Sequence, residues 1–265
     1  MQPIALTVAG SDPSGGAGLQ ADLKVFHACD VYGAAVVAAI TVQNTRGVYA
    51  VVPIDPELVE QQLAAVLDDL AVSAAKTGML ADPLTVAIVA RRFAALPAIA
   101  LVVDPVVCSG GGVTLAVGDV LLAIRTVLLP VATVITPNLD EAMALTGRPV
   151  TDVASMRDAA RALVDAGARA VLITGGHLPD RPVDVLGLDG TLHELEGTRI
   201  PIERSHGTGC TLTAAITAHL AHGHTLADAI VRSKEYVTRA LRTAPAVGGG
   251  ARPLDHSVRT ELTRT

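Results

Sequence analysis

Ile4-Ala5-Leu6-Thr7-Val8-Ala9-Gly10-Ser11-Asp12-Pro13-Ser14-Gly15-Gly16-Ala17-Gly18-Leu19 is an apolar strand pattern that runs into a glycine-rich loop and then a helix. Such a loop either brings backbone N–H groups close to a ligand with no side chain in the way or is a glycine-rich turn that holds no ligand. The same alternation continues outward along the chain. Strand-like runs fall at residues 4–9, 34–42, 49–54, 75–80, 101–104, 133–136, 170–175 and 183–188. Helical patterns separate most of them. Residues 56–70 place Leu58, Leu63, Val66, Leu67 and Leu70 on one face, behind Asp55-Pro56, a cap residue with proline at the first helical position. Asp189-Gly190 between two apolar runs reads as a hairpin turn. Near-continuous apolar strands alternating with helices predict an α/β fold, a mostly parallel sheet with helices on both faces. No linker or repeat interrupts it, so residues 1–265 read as one domain. Gly248-Gly249-Gly250 reads as a loop before a short C-terminal helix.

Half of the 265 residues are apolar, yet there is no tryptophan and there are two phenylalanines and three tyrosines, so an aliphatic core is expected. That composition excludes disorder. No unbroken apolar run approaches the ~18 residues of a membrane span. Lys24 is the first cation, so no secretory signal is expected either. Cys29, Cys108 and Cys210 are odd in number and widely spaced, which suits a reducing cytoplasm and argues against a disulfide frame or a structural zinc site. A net charge of −6 without a basic stripe, and few aromatic rings, exclude nucleic acid as a partner. A protein that handles small molecules is left.

In open α/β sheets ligands sit beyond the carboxyl ends of the strands. Gly16-Ala17-Gly18-Leu19-Gln20-Ala21 satisfies the dinucleotide glycine pattern. Its glycines begin well past the strand, however, and Val42-Gln43-Asn44 stands where an acid would be needed, so that reading is rejected. Asp104 closes an apolar strand, where it can face a cation, cap a helix or contact a loop. Asn138 and Glu141, in Thr136-Pro137-Asn138-Leu139-Asp140-Glu141, share one side of a helix's first turn. They read as an N-cap with a near capping box. With Asp104 they also suit Mg²⁺, which takes few protein ligands when phosphates supply the rest. Ser205-His206-Gly207-Thr208-Gly209-Cys210-Thr211 opens a helix with small residues, so its free N–H groups and dipole converge on an anion. Cys210 in that turn is expected to have a lowered pKa and to serve as base or nucleophile, or else to be a buried structural cysteine. His206 is near it in sequence alone.

Taken together, several segments resemble one family. Val8-Ala9-Gly10-Ser11-Asp12 through Gly15-Gly16-Ala17-Gly18-Leu19-Gln20-Ala21-Asp22-Leu23-Lys24 looks like the opening of the hydroxymethylpyrimidine/phosphomethylpyrimidine kinases of thiamine biosynthesis. So do Ile40-Thr41-Val42-Gln43-Asn44-Thr45, Lys76-Thr77-Gly78-Met79-Leu80, Val103-Asp104-Pro105-Val106, Thr136 to Ala142, and His206-Gly207-Thr208-Gly209-Cys210-Thr211-Leu212. Each is weak alone; the ordered set is specific. The resemblance implies a ribokinase-like three-layer fold without a separate lid domain, a homodimer, and the use of ATP and Mg²⁺ on a pyrimidine alcohol and then on its monophosphate.

The resemblance also implies residue roles. Gln43 would pair with the amino and ring-nitrogen edge of the pyrimidine. Gly10, Asp22 and the backbone near Val106 would hold the ring, with Met79 packed on it. Asp104 and Glu141 would handle Mg²⁺, and Asn138, Thr208 and Lys234 would contact ATP. Gly207, Thr208, Gly209 and Cys210 would form the anion hole, and Cys210 would take the hydroxyl proton. Two positions depart from the family pattern: Thr174 and Gly110 stand where groups able to meet ATP phosphates are common. They keep open a pyrimidine-binding protein that has lost catalysis, beside a pyridoxal kinase that shares the Cys210 chemistry.

Overall fold

The structure, a computed structural model, describes residues 2–107, 115, 119–202 and 204–259. Among the described residues nine strands form one sheet: β1 (Ile4–Ser11), β2 (Tyr32–Asn44), β3 (Gly47–Pro53), β4 (Ala74–Thr77), β5 (Ala100–Val103), β6 (Val134–Ile135), β7 (Ala170–Ile173), β8 (Val183–Leu188) and β9 (Thr191–Glu196). Their spatial order is β3-β2-β1-β4-β5-β6-β7-β8-β9. The inner run from β2 to β7 is parallel, and β3, β8 and β9 add antiparallel edges. This is the mostly parallel α/β sheet that the alternating pattern anticipates, in the ribokinase-like form that the family resemblance implies.

Helices cover both faces. α1 (Gly18–Ala28), α7 (Thr208–Ala221) and α8 (Leu226–Arg242) pack on one, burying Val25, Phe26, Ile216 and Ile230. α2 (Pro56–Leu67), α3 (Pro83–Ala94), α5 (Leu139–Thr146) and α6 (Val153–Asp165) pack on the other, burying Leu63, Phe93, Leu145 and Leu163. The short α4 (Val120–Ala123) winds on through a π turn and a 3₁₀ turn to Val131. Both phenylalanines are buried, one in each layer, Tyr236 joins Phe26 in its layer, and aliphatic side chains make up most of the rest. α2 starts as its sequence demands: the Asp55 side chain accepts from Glu57 N, with Pro56 at the first position. Among the described residues no helix is long and apolar enough to cross a membrane.

Several expectations shift in detail. The run 75–80 pairs only through Thr77, after which the chain leaves the sheet. Asp189 and Gly190 (φ +50° and +75°) make the two-residue hairpin turn, with Leu188 opposite Thr191. The strand after that turn, β9, is absent from the runs read in the sequence because it is largely exposed and carries His193, Glu194 and Glu196. In place of a short C-terminal helix, Arg252–Pro253 forms β11. It pairs in parallel with β10 (Ser205–His206), as suits a residue before proline. Leu254 follows into the core. Positions 260–265 lie outside the described residues, as do Cys108 and Gly110.

Candidate active site

Successive connections leave β1 in opposite directions, to β2 on one side and eventually to β4 on the other. The crevice at this switch point is where such sheets bind ligands. Its floor is charged. Thr7 of β1 and Lys76 of β4 face each other in register, and both reach Asp22 of α1. Lys76 Nζ donates to the two Asp22 oxygens at 2.9 Å each, and Thr7 Oγ1 donates at 2.6 Å. Both ions are fully buried. Burial pulls the Lys76 ammonium down, but Asp22 above all, then Cys210 and Asp104, hold its pKa above the ordinary value. Asp22, expected to hold the ring, is tied here to Lys76 and Thr7 on the crevice floor.

The glycine loop also differs from expectation. Asp12 gathers its N–H groups inward. Ser14 N donates to Oδ1 at 2.8 Å, Gly16 N and Ala17 N to Oδ2 at 3.2 and 2.9 Å, and Gly15 N to the Asp12 carbonyl at 2.9 Å. These amides are therefore committed to Asp12. The glycines serve close packing instead. Gly18 (φ +55°) lies where a Cβ would stand 2.3 Å from Gly10 O, and a Cβ on Gly207 (φ +84°) would stand 1.9 Å from Gly16 O. The loop thus abuts the start of α7.

Two clusters flank this corner. On one side Met79, Ala39, Ala81 and Leu115 form a small apolar group, with Val48, Val51 and Val106 packed on it. A Cβ on Gly10 would stand 2.2 Å from Met79 Cε, so Gly10 keeps that side open. Gln43 sits beside Val48 at a bulge of the β2–β3 pair. Its amide lies 3.0 Å from His206 Nε2, which lies 3.0 Å from Asp12 Oδ2. Gly10, Gln43, Met79 and Val106 are therefore brought to one region, with His206 as a member that sequence reading did not assign.

On the other side α7 begins without a side-chain cap, at Gly207, which leaves its first amides open. Thr208 Oγ1 is 3.2 Å from Ser205 Oγ. A methyl on Gly209 would stand 3.9 Å from Asp104 Oδ2. Thr213 Oγ1 donates to Asp104 Oδ2 at 3.4 Å, and the Cys210 thiol lies near enough to feel the Asp104 charge. The expected lowering of the Cys210 pKa is reversed. Burial foremost, then the Asp104 charge, push the thiol up to about 12 against the pull of Lys76 and the Gly18 N–H. A helix dipole worth a fraction of a charge loses to burial and a nearby carboxylate.

Asn138 and Glu141 do form a capping box. Glu141 N donates to Asn138 Oδ1 and Asn138 N to Glu141 Oε2, both at 2.9 Å. Glu141 remains mostly buried, with Oε1 not committed to the box. Burial and then Asp104 raise its pKa to about 8. Burial likewise raises Asp104 to about 6. Two acids that each resist ionising beside the other are the donor set a hard divalent cation relieves, and here capping and cation binding coexist. Among the described residues no three such groups converge, so Mg²⁺ would take its remaining ligands from water and phosphate. Asn138 bridges to Thr174 across the ends of β6 and β7. Lys234 is tied to Asp184 and to Leu195 O, while Asp184 Oδ1 accepts from Gly175 N.

Removing the Lys76 charge should leave Asp22 buried and unpaired. Lys76→Met is expected to cost about 3–5 kcal/mol in denaturant unfolding. The added Asp22→Asn change should recover part of that cost; additive losses would contradict the coupling. The carboxylate pair predicts a pH dependence. Acids whose pKa is raised on folding bind more protons in the folded chain. Their charge penalty is absent near pH 4 and grows as pH rises through about 6 and about 8. Tm should therefore fall from pH 5 to pH 9, and Mg²⁺ should restore it mainly above pH 7. Glu141→Gln, which keeps the capping box, should flatten the fall and blunt the Mg²⁺ response; an unchanged response would contradict it.

Comparison with known proteins agrees with this geometry. The model of the phosphomethylpyrimidine kinase family matches residues 12–255. The chain is 46% identical to a hydroxymethylpyrimidine/phosphomethylpyrimidine kinase of Rhizobium meliloti over 263 residues, 97% of each protein. It is 43% identical to a bifunctional thiamine biosynthesis protein of Geobacter sulfurreducens, covering 98% of this chain and 53% of that one. It therefore spans about half of that longer relative. Among solved structures, the pyridoxal kinase of Staphylococcus aureus in complex with AMP-PCP and pyridoxal superposes with a TM-score of 0.90. That match has 33% identity and covers 99% of this chain and 96% of the other. On the crevice at β1 and β4, the paired acids and this near full-length likeness, the chain belongs to the phosphomethylpyrimidine kinase family of phosphotransferases.

Proposed function

We propose that the chain, acting as one domain in the cytoplasm, transfers the γ-phosphoryl of ATP to 4-amino-5-hydroxymethyl-2-methylpyrimidine and then to its monophosphate. The observation that carries this reading is the start of α7, where an uncapped helix end sets Cys210 against Asp104, with Glu141 close enough to feel its charge. Phosphoryl transfer needs mainly positioning and charge neutralisation. Mg²⁺ held by Asp104 and Glu141 would neutralise phosphate charge. Amides from Gly207 to Cys210 would meet the phosphoryl group, with Asn138, Thr208 and Lys234 toward the nucleotide. Gly10, Met79 and Val106 would seat the ring while Gln43 reads its polar edge.

Because Cys210 is held as a thiol, it would pass a proton rather than simply accept one. Its S–H would move toward Asp104 as the sulfur takes the alcohol's proton. The second transfer uses a phosphate already ionised near pH 7 and needs no such step. Cys210→Ala should therefore slow alcohol phosphorylation by roughly 10²-fold or more and monophosphate phosphorylation far less. Mass analysis of products from ATP, Mg²⁺ and each acceptor measures both rates, and equal losses would sink the relay. Turnover of neither acceptor would favour a binding protein that has lost catalysis.

Pyridoxal is a second reading, favoured by the superposition on a kinase solved with pyridoxal; the same assay with pyridoxal as acceptor decides it. A homodimer is proposed on the outer face of the β2–β3 hairpin. There Ile40, Val42 and Val52 are more than half exposed, with Ile40 opposite Val52. An apolar sheet face of this kind suits a second copy. Light scattering should give a dimer that Ile40→Lys with Val52→Lys converts to monomer; a monomeric parent would contradict it.

A further inference from the structure

Which end of the Gln43 amide meets which neighbour decides what it offers a ligand. Gln43 Nε2 lies 3.0 Å from His206 Nε2, and Gln43 Oε1 lies 3.3 Å from Thr41 Oγ1. A half-turn of the amide exchanges these ends and moves nothing else. Protons decide between the two orientations. Thr41 has one hydroxyl proton, and the Ser11 carbonyl, which can only accept, receives it at 2.9 Å. Thr41 Oγ1 is thus left to accept. His206 Nε2 lies 3.0 Å from Asp12 Oδ2, a carboxylate oxygen that also collects the Gly16 and Ala17 amides. Facing that acceptor, Nε2 carries a proton. Both neighbours therefore demand the same arrangement, with the amide nitrogen toward Thr41 and its oxygen toward the single His206 Nε2–H, which Asp12 Oδ2 and the amide oxygen share.

The imidazole is itself held in place. A methyl on Gly16 would stand 2.8 Å from His206 Cδ2 and 3.1 Å from Pro253 Cβ, and β10–β11 pairing sets His206 opposite Pro253. We propose that His206, fixed in its Nε2–H form by Asp12, is a positioning residue that locks the polarity of Gln43 and so sets the donor–acceptor order facing the substrate ring. Each end of the amide is tied on one side, which leaves one N–H and one lone pair. That pair complements an amino group beside a ring nitrogen. The inference rests on the aminopyrimidine reading above for its ligand but not for its geometry.

Two measurements test it. In ¹⁵N-histidine-labelled parent protein at pH 8, the signal lost in His206→Gln should show Nε2–H with an unprotonated Nδ1. An Nδ1–H tautomer would overturn the lock. In kinetics, His206→Leu should raise KM for the aminopyrimidine alcohol about tenfold while KM for ATP and kcat stay within about twofold. His206→Gln, which keeps an N–H donor, should recover most of the loss. An unchanged pyrimidine KM in His206→Leu, or equal losses in the two variants, would overturn it. A parent that phosphorylates no aminopyrimidine would sink the substrate reading, and the tautomer would still decide the lock.

Discussion

The buried ion pair of Lys76 with Asp22 is the constraint around which the site is assembled. Taking two charges out of water costs several kcal/mol per ion unless the geometry returns it. Here it is returned by two contacts of 2.9 Å to one ammonium and a third hydrogen bond from Thr7. Those three residues come from β4, α1 and β1, so the pair ties the helix after the glycine loop to the two strands that bound the crevice. The loop can then close tightly on Asp12, and α7 can approach it at Gly16 and Gly207 with no side chain between.

The same ammonium reaches past its partner. Asp104 and Cys210 both feel it, and it opposes the burial that raises each of them. The result is a site with acids to spare, in which Asp104 and Glu141 sit protonation-prone on the side where a divalent cation and phosphates would meet. Local electrostatics here outranks the helix dipole. Cys210 occupies the helix-start position that ordinarily favours a thiolate, yet a neighbouring carboxylate and burial keep its proton on. Its chemistry is therefore bound to that of Asp104.

The fold was largely legible because the inner strands are buried on both faces and read as apolar runs that alternate with amphipathic helices. Where a strand is exposed and charged, as in β9, that signal vanishes. Segment endings such as Asp104, Asn138 and Cys210 were legible because strand ends and helix starts carry recognisable residues. Pairings were not. Asp22 and Lys76 are 54 residues apart, and His206 meets Asp12 across 194. Nothing local in the sequence marks a lysine as buried or a histidine as a neighbour of Gln43. The glycine loop is ambiguous for a related reason: its glycines fit both a loop whose amides approach a ligand and a tight turn, and only the structure shows four of those amides turned onto Asp12.

The charge state of Lys76 tests this account most directly. Heteronuclear NMR of lysine-labelled protein can follow the Lys76 ammonium through a pH titration. The account requires it to stay protonated past the ordinary lysine value, near 10.4, held by Asp22 with Asp104 behind it. A Lys76 that loses its proton below that value would mean burial wins, and that the crevice is not built on a buried cation.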